Sequence, residues 1–110
     1  MKEIRNNKIT SLIVHLAAQF VIRHSGTKSM ITITTADISS DMKNSKIYFT
    51  VIPTEYEEEA LSFLKRQRSE FRDFVKKDWT MRVIPFFDFE IDAGERNRQK
   101  IDELLNKDNK

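Results

Sequence analysis

Asp37-Ile38-Ser39-Ser40-Asp41-Met42-Lys43-Asn44-Ser45-Lys46-Ile47-Tyr48-Phe49-Thr50-Val51 joins two β-branched, alternating runs through a polar turn. Upstream, Met30 to Ile38 sets Ile31, Ile33 and Thr35 against Thr32, Thr34 and Ala36. Downstream, Lys46 to Ile52 sets Ile47, Phe49 and Val51 against Tyr48 and Thr50. Alternation of period two sends successive side chains to opposite faces, so both runs are predicted as strands with one face on a core.

Outside this hairpin the period changes. Ile9, Leu12, Ile13, Leu16 and Phe20 recur at three- and four-residue steps, the apolar stripe of a first helix, with Gly26 as its stop. Pro53 closes the second strand, and Thr54 with Glu57 three residues on has the form of a capping box opening a long helix. Glu55, Glu57, Glu58 and Glu59 crowd the start of that helix and Lys76 and Lys77 its end, as the macrodipole favours. Its apolar stripe is interrupted: Ala60, Leu61 and Leu64 are separated from Phe71, Phe74 and Val75 by Lys65-Arg66-Gln67-Arg68-Ser69-Glu70, which holds no apolar residue. Either the helix bends there and lifts its basic segment toward solvent, or the alkyl stems of Lys65 and Arg68 cover the gap; the bend is the favoured expectation. From Met81 to Asp92, Phe87, Phe89 and Ile91 alternate with Asp88, Glu90 and Asp92, a third strand in which Pro85 favours an edge or a bulge.

At 110 residues the chain predicts one α+β domain, residues 1–105, with a polar tail at 106–110. A domain of this size buries roughly 60 to 70% of its unfolded surface. Hydrophobic residues at 39% and charged residues at 33% fit a folded chain with a charged surface rather than a disordered or membrane-embedded one. The absence of cysteine excludes disulfides, thiolate nucleophiles and cysteine-ligated metals, and suits a reducing cytosol. The apolar stretch Leu12 to Ile22 is broken by His15 and Gln19, short of the roughly 20 residues of a membrane span. No signal-like segment precedes it, so a cytoplasmic location is expected.

The formal net charge is only +2, but it is distributed in blocks. Residues 1–28 hold five basic residues against one acid, and residues 61–82 hold seven against three. Residues 29–60 and 83–95 each carry −4, and residues 96–110 carry +2. If the two basic blocks share a face, the chain presents a positive field despite its nearly neutral total; otherwise they are ordinary solvated helix faces.

Catalytic chemistry finds little support. His15 and His24 sit nine apart on the first helix, on nearly opposite sides, which rules out a shared ligand set there. Asp88, Glu90 and Asp92 could coordinate a hard cation, but a solvated strand face is the better expectation. Ser39 and Ser40 lack a base arrangement, and no phosphate-cradling glycine loop exists. The eight phenylalanines fall mostly at core spacing and read as packing rather than as base-stacking platforms. Trp79 either anchors the turn into the third strand, the preferred reading, or stacks on a nucleotide.

Four pieces of this sequence, in order, resemble the ribosome-binding factor A family: the hairpin; Ala60-Leu61-Ser62-Phe63-Leu64 with Phe71-Arg72; Met81-Arg82 with Pro85, Phe87, Phe89 and Asp92; and Ile101-Asp102-Glu103-Leu104-Leu105. The resemblance covers nearly the whole chain. It implies a type II KH-like domain with a kink between its helices, a three-stranded sheet and a short closing helix. It also implies a non-enzymatic assembly factor that binds the immature small (30S) ribosomal subunit and its 16S rRNA and assists late rRNA processing, including in the cold. No cofactor, metal, membrane or small-molecule substrate is implied, and a monomer is expected. The usual KH loop, Gly-x-x-Gly, is absent, as in that family. The family's Ala-x-Gly kink aligns with Gln67-Arg68-Ser69, a departure that leaves Ser69 to make the bend. Phe86 and Asp88 depart as well, standing where a basic and an acidic residue are common, so the surface of that strand should differ.

The resemblance makes Lys65, Arg66, Arg68, Arg72, Lys76 and Lys77 the principal candidates for RNA contact, although their spacing spreads them over more than one helix face. Arg82 matches a family position and either meets phosphate or pairs with an acid. Lys2, Arg5 and Lys8 oppose the macrodipole at the start of the first helix, a local cost that points to a role elsewhere. Lys43 and Lys46 read as turn and strand-edge charges, with RNA contact as the lesser reading. The rival from another class is a non-ribosomal α/β protein-interaction module that recruits a partner through its strand edge.

Overall fold

The computed structural model describes residues 2–24, 29–98 and 101, with side chains described from Lys8 onward. Helix α1 spans Lys2–His24, strands β1 and β2 span Met30–Ile38 and Asn44–Ile52, helices α2 and α3 span Glu57–Arg66 and Arg68–Lys76, and strand β3 spans Phe86–Ile91. Residues 93–98 begin a further helical segment. Gly26 and the polar tail lie outside the described residues, as does the closing helix apart from Ile101.

The hairpin forms where the alternation places it. β1 and β2 pair antiparallel, with Ile38 opposite Ser45 and Met30 opposite Ile52. The turn is fixed by Ser39 N–H donating to the Asn44 carbonyl at 2.8 Å and by Asp41 Oδ1 accepting from Ser39 Oγ at 2.6 Å and from Lys43 N–H at 3.1 Å. One residue breaks the register: Ile33 faces Phe49 and Thr35 faces Tyr48, which leaves Thr34 as a bulge. Thr34 Oγ1 lies 2.6 Å from Asp92 Oδ2 and 3.2 Å from the Tyr48 carbonyl, and its single proton goes to the nearer carboxylate.

β3 adds to β2 in parallel, giving the order β1-β2-β3 with β3 at an edge, as Pro85 anticipates. The strand is shorter than the alternation suggests. Residues 77–85 form an irregular loop, and the strand closes at Ile91. Asp92 still donates its N–H to the Phe49 carbonyl at 2.8 Å, but its side chain accepts from Glu95 N–H at 3.1 Å and so caps the segment that follows.

Inward-facing Ile47, Phe49 and Val51 of β2 and Phe87 and Phe89 of β3 meet Ile13, Leu16 and Phe20 of α1. Leu64, Phe71 and Val75 close the core from α2 and α3. Phe71 is its aromatic centre, with edge-on ring contacts to Phe87 at 4.9 Å, Phe20 at 5.3 Å and Phe89 at 5.7 Å. Such pairs contribute about 0.5–1.5 kcal/mol each beyond their buried area.

The long helix is broken, and the break falls where the apolar stripe lapses. Gln67 alone leaves the helical region, at φ −93° and ψ 6°. Its N–H is shared between the Phe63 and Leu64 carbonyls at 3.1 and 3.0 Å, and its carbonyl accepts from Phe71 N–H at 2.8 Å, so this residue ends α2 and opens α3. The break therefore rests on Gln67 and not on Ser69. The Thr54–Glu57 capping box does not form: Thr54–Tyr56 make one 3₁₀ turn without a side-chain cap, and α2 begins only at Glu57.

Candidate nucleic-acid interface

The α2–α3 corner lies against β3, and opposite charges meet there. Asp88 is the hub. Its Oδ1 accepts from Lys65 Nζ at 3.0 Å, from Arg68 Nη1 at 3.2 Å and from the Phe89 N–H at 2.9 Å. Partial burial pushes the Asp88 carboxyl up, but the Lys65 and Phe89 hydrogen bonds, with the Lys65 and Arg68 charges, outweigh it and hold the group below the ordinary carboxylate range. Arg68 is further pinned by Nε donating to the Lys65 carbonyl at 2.9 Å.

Arg72 serves the backbone instead. Its Nε and Nη2 each donate at 3.0 Å, to the Pro85 and Ile84 carbonyls, and its guanidinium lies 4.4 Å from the Phe86 ring centroid. It thereby satisfies two carbonyls just before β3 that have no ladder partner of their own. Trp79 is buried and donates Nε1–H to the Val83 carbonyl at 2.8 Å, which makes it the anchor of this loop and not a stacking surface.

The candidate cations thus fall into two sets. Lys65, Arg68 and Arg72 hold the corner to β3, and Lys76 pairs with Asp73 at 3.3 Å. Arg66, Lys77, Arg82 and Lys8 are exposed and form no ion pair among the described residues. Lys2 and Arg5 lie within α1, but their side chains are outside the described residues.

The two basic blocks do not merge along their length. The first half of α1 lies beside β1, where Thr10, Ser11 and Val14 face Thr34, Thr35 and Ala36. The C-terminal end of α1 reaches α3, with the Arg23 guanidinium 5.7 Å from the Phe74 ring centroid. Lys8 is fifteen residues from Arg23, about 22 Å along the helix axis. His24 stacks on Phe20 at 4.1 Å, and His15 is exposed and hydrogen-bonded to Gln19 at 3.2 Å.

The acids of β3 do not form a merely solvated row. Besides Asp88, Glu90 pairs with Lys46 at 3.1 Å, and the Glu90 hydrogen bond and charge raise the Lys46 pKa. Asp92 is lowered by the Thr34 hydroxyl and by the Glu95 N–H. No group of three or more histidine, cysteine, aspartate or glutamate side chains among the described residues could hold a metal ion. No helix among them is long and apolar enough to cross a membrane.

An α-β-β-α-α-β chain with its helix pair broken by one residue and its last strand parallel to the second defines a KH-like α+β domain. The family model for ribosome-binding factor A matches residues 5–105, and the chain belongs to that family. It is 30% identical over 83 residues to ribosome-binding factor A of Francisella tularensis subsp. novicida, covering 72% of this chain and 58% of that protein. The chain therefore spans less than two thirds of the length of the relatives it first matches. It is 26% identical to the Bdellovibrio bacteriovorus ribosome-binding factor A over 91 residues, covering 80% of this chain and 68% of the other. The crystal structure of ribosome-binding factor A from Thermus thermophilus superposes with a TM-score of 0.70 at 17% identity, covering 78% of this chain and 94% of that one. The solution structure of a putative ribosome-binding factor A from Thermotoga maritima gives 0.61 at 23% identity, with 80% and 83% covered. Both likenesses bear on the fold.

Proposed function

We propose that this chain is a non-enzymatic factor of the small ribosomal subunit, cytoplasmic and monomeric. On this reading residues 1–105 act as one RNA-binding module on immature 30S particles, contact 16S rRNA, and assist late rRNA processing and assembly, including in the cold. Family membership supports ribosome binding. The observation that carries the site is that Arg66 at the end of α2, Lys77 just after α3 and Arg82 on the loop that follows stand exposed without an acidic partner among the described residues. Exposed, unneutralised cations are the groups that exchange counterions for phosphates. Lys65 and Arg68 add charge through a shared acid, and Arg72 and Lys76 contribute from the same helix. Lys2, Arg5 and Lys8 form a second, distant contact at the start of α1.

Co-sedimentation of the purified chain with immature small, mature small and large subunits over a salt series tests this reading. Selective binding to small subunits that weakens steeply with salt is expected, the log–log slope being about 0.7 to 0.9 per phosphate neutralised. The combined Arg66→Glu, Lys77→Glu and Arg82→Glu variant should fold normally and lose association. Retained association overturns the site, and no binding to any subunit overturns the function. Reversing Arg68 and Arg72 would be a poorer test, because both also hold the loop and β3. Binding that is indifferent to salt would favour the rival reading, a protein partner docked along a strand edge, since β1 and β3 both end the sheet.

A further inference from the structure

Period two places Phe86 on the row of Asp88 and Glu90, opposite the buried Phe87 and Phe89. It is 65% exposed, and every other phenylalanine, tyrosine and tryptophan among the described residues is buried or half-buried. A lone exposed apolar side chain needs no explanation. The surroundings of this one, however, are held in place. Arg72 lies over the ring and is kept there by its two bonds to the Pro85 and Ile84 carbonyls. The Phe86 N–H donates to the Lys43 carbonyl at 2.8 Å, which fixes the backbone beneath the ring beside the hairpin turn.

Cations stand on both chain segments that adjoin Phe86, the hairpin turn and the loop before β3. Lys43 adjoins Phe86 through that backbone bond, and Arg82 sits on the loop that Arg72 clamps. Both are exposed and neither pairs with an acid among the described residues. The next acid on the row, Asp88, is already engaged by Lys65 and Arg68. An exposed ring with a guanidinium against it, and with cations unpaired among the described residues on the adjoining turn and loop, suits a ligand that is flat, aromatic and attached to anions. That describes a nucleotide better than a protein side chain, because aromatic stacking is worth about 1–3 kcal/mol per base and tolerates any base.

We propose that Phe86, backed by Arg72, is a stacking platform for one unpaired RNA base, with Lys43 and Arg82 meeting the adjoining phosphates. The proposal rests on the RNA-binding reading above and narrows it to single-stranded RNA.

Fluorescence anisotropy with a labelled mixed-sequence oligoribonucleotide of about 10 nucleotides, and with a duplex of the same length, tests it. Phe86→Ala should weaken single-strand binding by about 5- to 160-fold without changing its salt slope, because no phosphate contact is removed. Phe86→Trp should keep the affinity and show indole emission quenched by RNA, while Phe86→Leu should behave like Phe86→Ala. Duplex binding should respond to none of them. An unchanged affinity for Phe86→Ala, or full affinity for Phe86→Leu, overturns the platform, the latter pointing to an apolar protein contact. Arg66→Glu with Lys77→Glu separates the two levels. If that pair weakens binding and Phe86→Ala does not, the stacking site falls and the basic surface stands. If the unaltered protein binds neither oligonucleotide, both fall.

Discussion

The two rows of β3 do opposite work within six residues. The inner row, Phe87 and Phe89, is buried against Phe71 and Phe49 and holds the sheet to the helices. The outer row, Phe86, Asp88 and Glu90, is partly exposed and gathers Arg72, Lys65, Arg68 and Lys46. One aromatic residue type has two roles here, decided by a single step in register. Burial makes Phe89 a stability residue, while exposure makes Phe86 a surface one, and substitutions along the strand should separate the two rows.

The largest effect belongs to the inner row. Phe89→Ala should lower unfolding free energy by about 3–5 kcal/mol, read as a shifted urea midpoint, because a fully buried ring leaves a cavity that its neighbours fill only partly. Arg72→Ala comes next, at about 1.5–3 kcal/mol, since it leaves the Pro85 and Ile84 carbonyls without their charged donor. Asp88 sharpens the comparison through pH. A carboxyl held below its unfolded value of about 3.9 adds stability above that pH, and the contribution disappears as pH falls through the lower folded value. Asp92 behaves likewise through the Thr34 hydroxyl. Urea midpoints measured from about pH 5 to pH 2 should therefore decline below about pH 4, and Asp88→Asn together with Asp92→Asn should flatten that decline. The smallest effect on stability is expected at Phe86→Ala, within about 0.5 kcal/mol. A loss as large as that of Phe89→Ala would erase the distinction between the rows.

The hairpin, the stripe of α1 and the interruption after Leu64 were legible in the sequence because each rests on local period. The missing apolar residues between Lys65 and Glu70 announced the break, but the residue carrying it was not legible. Gln67 has no special backbone preference, and its role comes from Phe63, Leu64 and Phe71 bonding to it. Thr54 and Glu57 had the right spacing for a box, yet the chain enters α2 through a 3₁₀ turn and never presents the Thr54 hydroxyl as a cap. Met81 to Ile84 read as part of the third strand with the alternating run that follows them, but Trp79 and Arg72 take the Val83 and Ile84 carbonyls and keep that stretch out of the sheet.

The candidate surface was legible as a basic segment and not as two sets of cations. Lys65 and Arg68 meet Asp88 across 23 and 20 positions of chain, a pairing that only tertiary structure creates. The exposure of Phe86 could have been found. The same alternation that buries Phe87 and Phe89 sends Phe86 to the other side, a signal that marked the strand surface as different but was not carried on to base stacking.

The parallel seating of β3 also governs how the domain assembles. β1 and β2 pair across a short turn, whereas β3 reaches β2 only after residues 53–85 have made α2, the break and α3. Closing so long a loop costs chain entropy before any ladder bond rewards it, so the hairpin can form early while the last strand joins late. The edge that carries Phe86 and Asp88 therefore comes into being only with the completed fold: a partly folded chain has the basic helices without the surface that arranges them.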